Sequence, residues 1–126
     1  MAVRKRFSAK LLAAIDTSKI LGIRAGVNDH RFIGVWAVVV EGRLFVRSWT
    51  LKKNGWFRTF LNEPRGAISI DGREIPVRAF RTRSERLKDA VDRAYAAKYD
   101  TKASQKYVRG LATKRRRDTT TELLPR

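Results

Sequence analysis

Residues 44–70 of the chain read LFVRSWTLKKNGWFRTFLNEPRGAISI. Within ten positions this run joins Arg47, Ser48, Thr50, Lys52 and Lys53 to two tryptophans, Trp49 and Trp56. Cations and hydroxyls hold phosphate, and flat indoles cover another ring system. The combination suits a nucleotide-type cofactor or a nucleic acid. Lys52 and Lys53 either grip a phosphate or form a solvated pair at a strand–helix turn. Arg47 either takes phosphate with its planar fork or points outward, alternating with Phe45 and Val46. Trp56 either bounds a ring or faces the core beside Phe60. Trp49 ends a strand and is less clearly core, while Trp36 sits in the most apolar strand and reads as packing.

A second cationic group, Lys114, Arg115, Arg116 and Arg117, is contiguous. Such a run either contacts nucleic-acid phosphates, with a salt dependence that steepens with each one neutralised, or simply solubilises a tail. No RNA-recognition motif, helix-turn-helix signature or zinc finger accompanies it. His30 has the pKa range for proton transfer but lies at a turn beside Asp29, with no nucleophile or second base, and reads as a surface residue. Arg24 and Arg31 flank that turn and could reach an anion. Asp16, Glu41, Asp71 and Glu74 are scattered, so no carboxylate pair is placed for acid–base work. The spacing of Gly22, Gly26 and Gly34 matches no phosphate-binding loop. The chain has no cysteine, which excludes disulfides, thiolate catalysis and zinc–sulfur sites, and its one histidine leaves no metal site expected.

These residues must be positioned by a small fold. A length of 126 residues and a hydrophobic fraction of 43% imply one domain, spanning 1–126, with a single core. Twenty-nine Lys and Arg against twelve Asp and Glu give a net charge of +17, a field that attracts polyanions and anionic cofactors. No segment approaches the ~18 apolar residues of a membrane helix. The basic N-terminus lacks the apolar region and cleavage site of a signal peptide, so a cytoplasmic protein is expected.

Ser8 predicts the N-cap of a short amphipathic helix over 8–16. Residues 20–25 read as a strand, and 26–31 carry turn chemistry with Asn28-Asp29 at the tip. The apolar run 32–40 reads as one strand buried on both faces and makes a hairpin with 44–49 through Glu41-Gly42-Arg43. Asn54 predicts the cap of a helix over 55–61, which Pro64 ends. Strands 67–70 and 74–80 pair through Asp71-Gly72, with Pro76 implying an edge or a bulge. Ser84 starts the longest helix, to about Lys98, with Leu87, Ala90, Val91 and Ala94 as its buried stripe. A partly ordered basic arm is expected at about 99–118, followed by strand character at 119–124. Five strands, or six with the last, and three helices suggest a small closed barrel, with an open sheet as the alternative.

Residues 45–70 resemble the FMN-binding split β-barrels of the pyridoxamine-phosphate oxidase type. Their pattern runs strand, Thr-Asn, Ser-Arg-Lys, helix, Asn-Pro, strand. Arg47-Ser48, Leu51-Lys52-Lys53 and Asn62-Glu63-Pro64 fall at those places. Trp56-Phe57 sits where the related deazaflavin-dependent nitroreductases have an aromatic pair. Across nearly its full length, on VWAVVVEGRLFVRS, GWFR, IDGREIPVRAF, AYAAKYD and TTTELLPR, the chain is similar to an uncharacterised bacterial family related to these barrels. The phosphate pair is Lys52-Lys53 here rather than Arg-Lys, which keeps charge and loses the bidentate fork. Leu51 replaces a phosphate-contacting Ser, and Arg47 replaces a Thr.

The resemblance implies a mainly-β α+β split barrel with peripheral helices. It implies FMN or a deazaflavin held by Arg47, Ser48, Lys52 and Lys53 and bounded by Trp56. It further implies a homodimer and a reductase whose cofactor performs the hydride chemistry. The alternatives are a non-catalytic nucleic-acid-binding module working through Lys114, Arg115, Arg116 and Arg117, and a barrel without cofactor that serves in protein interaction.

Overall fold

Leu21–Ala25 (β1) is the first strand, and every later strand pairs antiparallel with its neighbours. The structure is a computed structural model that describes residues 6–27 and 30–126; the expected turn tip at Asn28-Asp29 lies outside the described residues. The remaining strands are Ile33–Val35 (β2), Ala37–Val40 (β3), Arg43–Val46 (β4), Arg65–Ile70 (β5), Arg73–Arg81 (β6) and Thr121–Pro125 (β7). The helices are Ala9–Thr17 (α1), Trp56–Asn62 (α2), Glu85–Lys98 (α3), Gln105–Leu111 (α4) and Lys114–Arg117 (α5). The sheet order is β2-β1-β5-β6-β7-β4-β3. Its two ends, β2 and β3, are successive halves of one segment, so the sheet comes back to its own start. The result is an α+β fold around a nearly closed antiparallel barrel, as expected.

Local chemistry accounts for most of the elements. Glu41-Gly42 (φ 55° and 70°) and Asp71-Gly72 (φ 51° and 75°) form turns with positive φ, whose twist matches the strands they join. Ser8 and Ser84 cap α1 and α3, their hydroxyls accepting from the N–H groups of Leu11 (3.1 Å) and Leu87 (3.2 Å). α2 departs from expectation: its N-cap is Gly55, with no side-chain cap, so Asn54 does not fill that place. A Cβ at Gly55 would lie 2.8 Å from the Thr50 methyl, so the close approach selects glycine.

The core has two parts. One fills the barrel, from Ile15, Leu21 and Ile23 to Phe60, Ile68, Val77 and Leu123. The other lies between the outer face of β3–β4 and α3, where Val38 and Phe45 meet Leu87, Val91, Tyr95 and Tyr99. β4 therefore divides by strand alternation: Leu44 and Val46 belong to the first cluster and Phe45 to the second. Each such apolar side chain contributes roughly 1.5–3 kcal/mol on burial, so a charge at Val91 would detach α3.

Three expectations are corrected. The run 32–40 breaks at Trp36, and Ile33 and Gly34 of β2 are exposed rather than buried on both faces. Together with β7, which inserts between β6 and β4, this break raises the count among the described residues to seven strands. Pro76 is neither at an edge nor in a bulge: it pairs with Ala67 inside central β6. It is tolerated there because it is level with the end of β7, where its carbonyl accepts the Arg126 N–H at 3.1 Å. Residues 99–118, expected as a partly ordered arm, carry a 3₁₀ turn at Lys102–Ser104 and then α4 and α5. Leu111 and Val108 anchor this segment in the α3 cluster. Among the described residues, no helix is long and apolar enough to cross a membrane.

Candidate functional site

The β3–β4 ladder ends at the pair Ala37–Val46. Beyond it the two chains part. Residues 33–35 turn to pair with β1, and Ser48 turns toward β7, its N–H donating to Thr119 Oγ1 at 2.9 Å. A cleft of about 460 Å³ opens between the lips 33–36 and 47–50. Gly55 and Trp56 close it at the start of α2, Tyr107 and Leu111 reach it from α4, and Ile20 joins the rim. That volume falls within the usual range for small-ligand sites.

The cleft is walled by aromatic rings. Trp36 stacks flat on Tyr99 (centroids 4.0 Å, 5°) and meets Tyr107 edge-on at 6.1 Å. Tyr107 also meets Trp49 edge-on at 5.6 Å. Trp49 and Ile33 remain 46% and 49% exposed, which for an indole and a β-branched residue marks an open apolar surface. Burial pushes the Tyr99 hydroxyl up to about 12 and raises that of Tyr95 further, so both stay neutral donors at physiological pH.

The expected residues take different positions. Arg47 lines the cleft, but its side chain is 0% exposed and its guanidinium is committed internally. Nε donates to Thr120 Oγ1 (2.8 Å), one terminal nitrogen to Asp92 Oδ1 (2.5 Å) and the Leu111 carbonyl (3.1 Å), and the other to the Lys88 carbonyl (2.9 Å). Four of its five donors are thus taken, and the fork expected on phosphate is a structural cation instead. The cause is the alternation that sends Arg47, like Phe45, toward α3 and its Asp92. Ser48 is likewise buried, its Oγ donating to the Thr50 carbonyl at 2.6 Å, so it shapes the lip rather than offering a free hydroxyl. Lys52 and Lys53 are exposed on the loop between that lip and α2. Trp56 is both things at once: buried edge-on against Phe57 (6.3 Å) and Phe60 (6.0 Å), yet part of the cleft lining.

The basic run divides in two. Lys114 and Arg115 are exposed. Arg116 lies over the Trp49 ring at 3.9 Å and donates from Nε to the Trp49 carbonyl at 2.8 Å. Arg117 bonds Glu85, Asp89 and Asp92 of α3. Arg116 and Arg117, expected on polyanion phosphates, therefore hold α5 in place. His30 lies exposed at its turn, with Nε2 3.1 Å from the Ala25 carbonyl. Among the described residues no cluster of His, Asp and Glu could hold a metal ion. Sequence reasoning missed Tyr107, hidden in the presumed arm, and Tyr95 and Tyr99, whose i,i+4 spacing on α3 marked a shared face.

Residues 11–123 match a family described as "Uncharacterized protein conserved in bacteria (DUF2255)". The chain belongs to this family. The DUF2255 match takes in both lips of the cleft, α2 and the α4–α5 segment, so the site lies within the family's own extent. No curated protein matches this DUF2255 chain in sequence. Among solved structures, a conserved hypothetical protein of Mycobacterium tuberculosis, Rv2991, superposes with a TM-score of 0.56 at 12% identity, covering 98% of this chain and 81% of that one. An FAD-binding protein of Mesorhizobium loti gives 0.56 at 13% identity, covering 99% and 94%. At such identities the likeness is one of fold, consistent with the split-barrel resemblance.

Proposed function

We propose that the cleft binds a flavin or deazaflavin, and that the protein is a cytoplasmic, homodimeric reductase. The observation that carries this reading is the cleft at the split: apolar, aromatic on several sides, and bordered by a loop with two exposed lysines. The residues present fit such a ligand. Trp36 and Trp49 offer ring surfaces, Trp56 closes the cleft at the start of α2, and Lys52 and Lys53 offer charge to a phosphate as point cations. The likeness in fold to an FAD-binding protein supports the same class. A bound cofactor of this kind would supply the hydride chemistry, and the protein would supply placement and electrostatics.

The test is a titration of purified protein with FMN, FAD and a deazaflavin, followed by cofactor fluorescence. Saturable quenching by at least one of them is expected. No change with any of the three would refute the reading. It would also favour a barrel without cofactor that serves in protein interaction.

A second reading, nucleic-acid binding, is favoured by the +17 charge and by the exposure of Lys114 and Arg115 beside an aromatic rim. It predicts affinity for single strands that falls steeply with salt, and binding insensitive to salt would count against it.

A further inference from the structure

Three tryptophans line the cleft; Trp36 already stacks flat on Tyr99 at 4.0 Å, and the other two differ sharply in exposure. Trp56 is 6% exposed, and both Phe57 and Phe60 pack against it, so it serves the barrel core and offers the cleft little surface. Trp49 is the opposite case: it is solvent-accessible, lies on the lip of the cleft, and is held from several directions. The Arg116 guanidinium covers the ring at 3.9 Å, and the same side chain bonds the Trp49 carbonyl at 2.8 Å. Tyr107 meets the ring edge-on at 5.6 Å. Gly110 lies so close that a Cβ there would stand 2.5 Å from Trp49 Cη2 and 2.6 Å from Cζ3. The supports are themselves anchored, because Arg117 fixes α5 to Glu85, Asp89 and Asp92 of α3.

An exposed aromatic ring gains nothing for the core by being gripped in this way. Fixing it in one pose removes the ordering cost that a ligand would otherwise meet. A cation over one face of an indole is compatible with a flat ring stacking on the other.

Resting on the cofactor reading above, we infer that Trp49, rather than Trp56, is the platform on which the cofactor's ring stacks, and that Gly110 and Arg116 are positioning residues that set its pose. The Lys114–Arg117 run thereby acquires an internal role: its third residue backs the platform and its fourth anchors the helix that carries it. Gly110 is the penultimate residue of α4 and needs no positive φ, so alanine would be the better helix former there and the contact with Trp49 is what opposes a side chain.

The experiment is a double-mutant cycle on the full chain. Trp49→Ala, Trp49→Phe, Gly110→Ala, the double variant Trp49→Ala/Gly110→Ala, and Arg93→Gln as an exposed control on α3 are titrated with FMN, FAD and a deazaflavin. Affinity and the emission of bound cofactor are read, with thermal melting to verify folding. Trp49→Ala is expected to weaken binding about tenfold or more and to restore emission, since base–aromatic stacking has that magnitude. Trp49→Phe should stay within about threefold of wild type, within the same stacking range. Gly110→Ala should weaken binding on its own and add nothing to Trp49→Ala, the signature of a residue that acts through Trp49. Arg116→Gln should raise the accessibility of Trp49 to a soluble quencher in the absence of cofactor. Wild-type affinity and quenching in Trp49→Ala would overturn the platform while leaving the cofactor reading intact. Additive losses in the double variant would overturn the role of Gly110. A wild-type protein that binds none of the three cofactors would refute both readings.

Discussion

The Tyr95 hydroxyl donates to the Trp36 carbonyl at 2.7 Å and occupies the place of the next rung of the β3–β4 ladder. The same hydroxyl accepts the Arg47 N–H at 3.1 Å. A two-residue hairpin turn makes the flanking pair Val40–Arg43 hydrogen-bonded, and alternation makes Val38–Phe45 and Trp36–Arg47 hydrogen-bonded in turn. The Arg47 N–H and Trp36 carbonyl would thus bond each other if the hairpin ran on. A side chain from α3 stands between them, satisfies both, and lets the strands part. The cleft begins at that point, so its position follows from one tyrosine on a helix behind the sheet.

Tyr95→Phe is therefore expected to leave a buried N–H and a part-buried carbonyl without their partner. Each such group costs roughly 1–3 kcal/mol, so urea unfolding should show a loss of about 2 kcal/mol or more. Tyr107→Phe removes a hydroxyl from an exposed ring and should change stability by no more than about 0.5 kcal/mol. Equal effects of the two substitutions would contradict the bridging role.

Arg47 and Asp92 provide a second contrast. The Arg47 side chain is fully buried and Asp92 is 30% exposed, so removing the carboxylate strands a guanidinium inside the protein. Breaking a buried pair costs about 3–5 kcal/mol. Asp92→Ala should fall near the lower end, because Thr120 Oγ1 and two carbonyls still accept from Arg47. Asp89→Ala, which loses only an exposed partner of Arg117, should cost at most about 1 kcal/mol. Chemical denaturation of the two variants side by side tests the ranking.

The anchor of α5 sets an expected acid response. Hydrogen bonds from Arg117 and Lys88 hold the Glu85 carboxyl below its usual value of 4.5, and the bond from Lys88 holds Asp118 below 3.8. Lowered carboxyl pKa values mean that this contribution is complete above the unfolded values and fades as pH falls through the folded ones. Acidification below about pH 4 should therefore loosen α5 before the barrel unfolds. Trp49 emission, coupled to α5 through Arg116, should respond ahead of the far-ultraviolet dichroism. Coincident transitions would show that α5 has no separate acid response.

Local chemistry was legible in the sequence where a residue decides its own surroundings. The glycines after Glu41 and Asp71, and the serines before α1 and α3, announce their turns and caps. Features that depend on distant partners were not. The break at Trp36 carries no glycine or proline, and it is made by Tyr95, 59 positions away. Arg47 looked like a phosphate ligand because its neighbours are a loop's cations, whereas its carboxylate partner lies 45 positions on. Residues 99–118 looked unanchored because the acids that neutralise Arg117 belong to another helix. Of the residues singled out in the sequence, Arg47, Ser48 and Trp56 line the cleft and Lys52 and Lys53 lie on the loop beside it, while the contacts of Trp49 with Gly110 and Arg116 span about 60 positions and leave no local signal.

Lys52 and Lys53 provide the last test, because their expected role separates phosphate from ring. Both are exposed, so neither contributes to packing, and Lys52→Ala/Lys53→Ala should leave the thermal midpoint unchanged. Exposed ion pairs are worth up to about 1 kcal/mol each, so the two together correspond to a loss of up to about thirtyfold in affinity for FMN. Riboflavin carries the same ring without the phosphate, so its affinity should not change. Added salt should erase the advantage of FMN over riboflavin in the wild type and have little effect in the double variant, since screening acts on exposed charges. Equal losses for FMN and riboflavin would mean that the lysines shape the cleft rather than hold an anion, and the phosphate would then have to be held elsewhere on its rim.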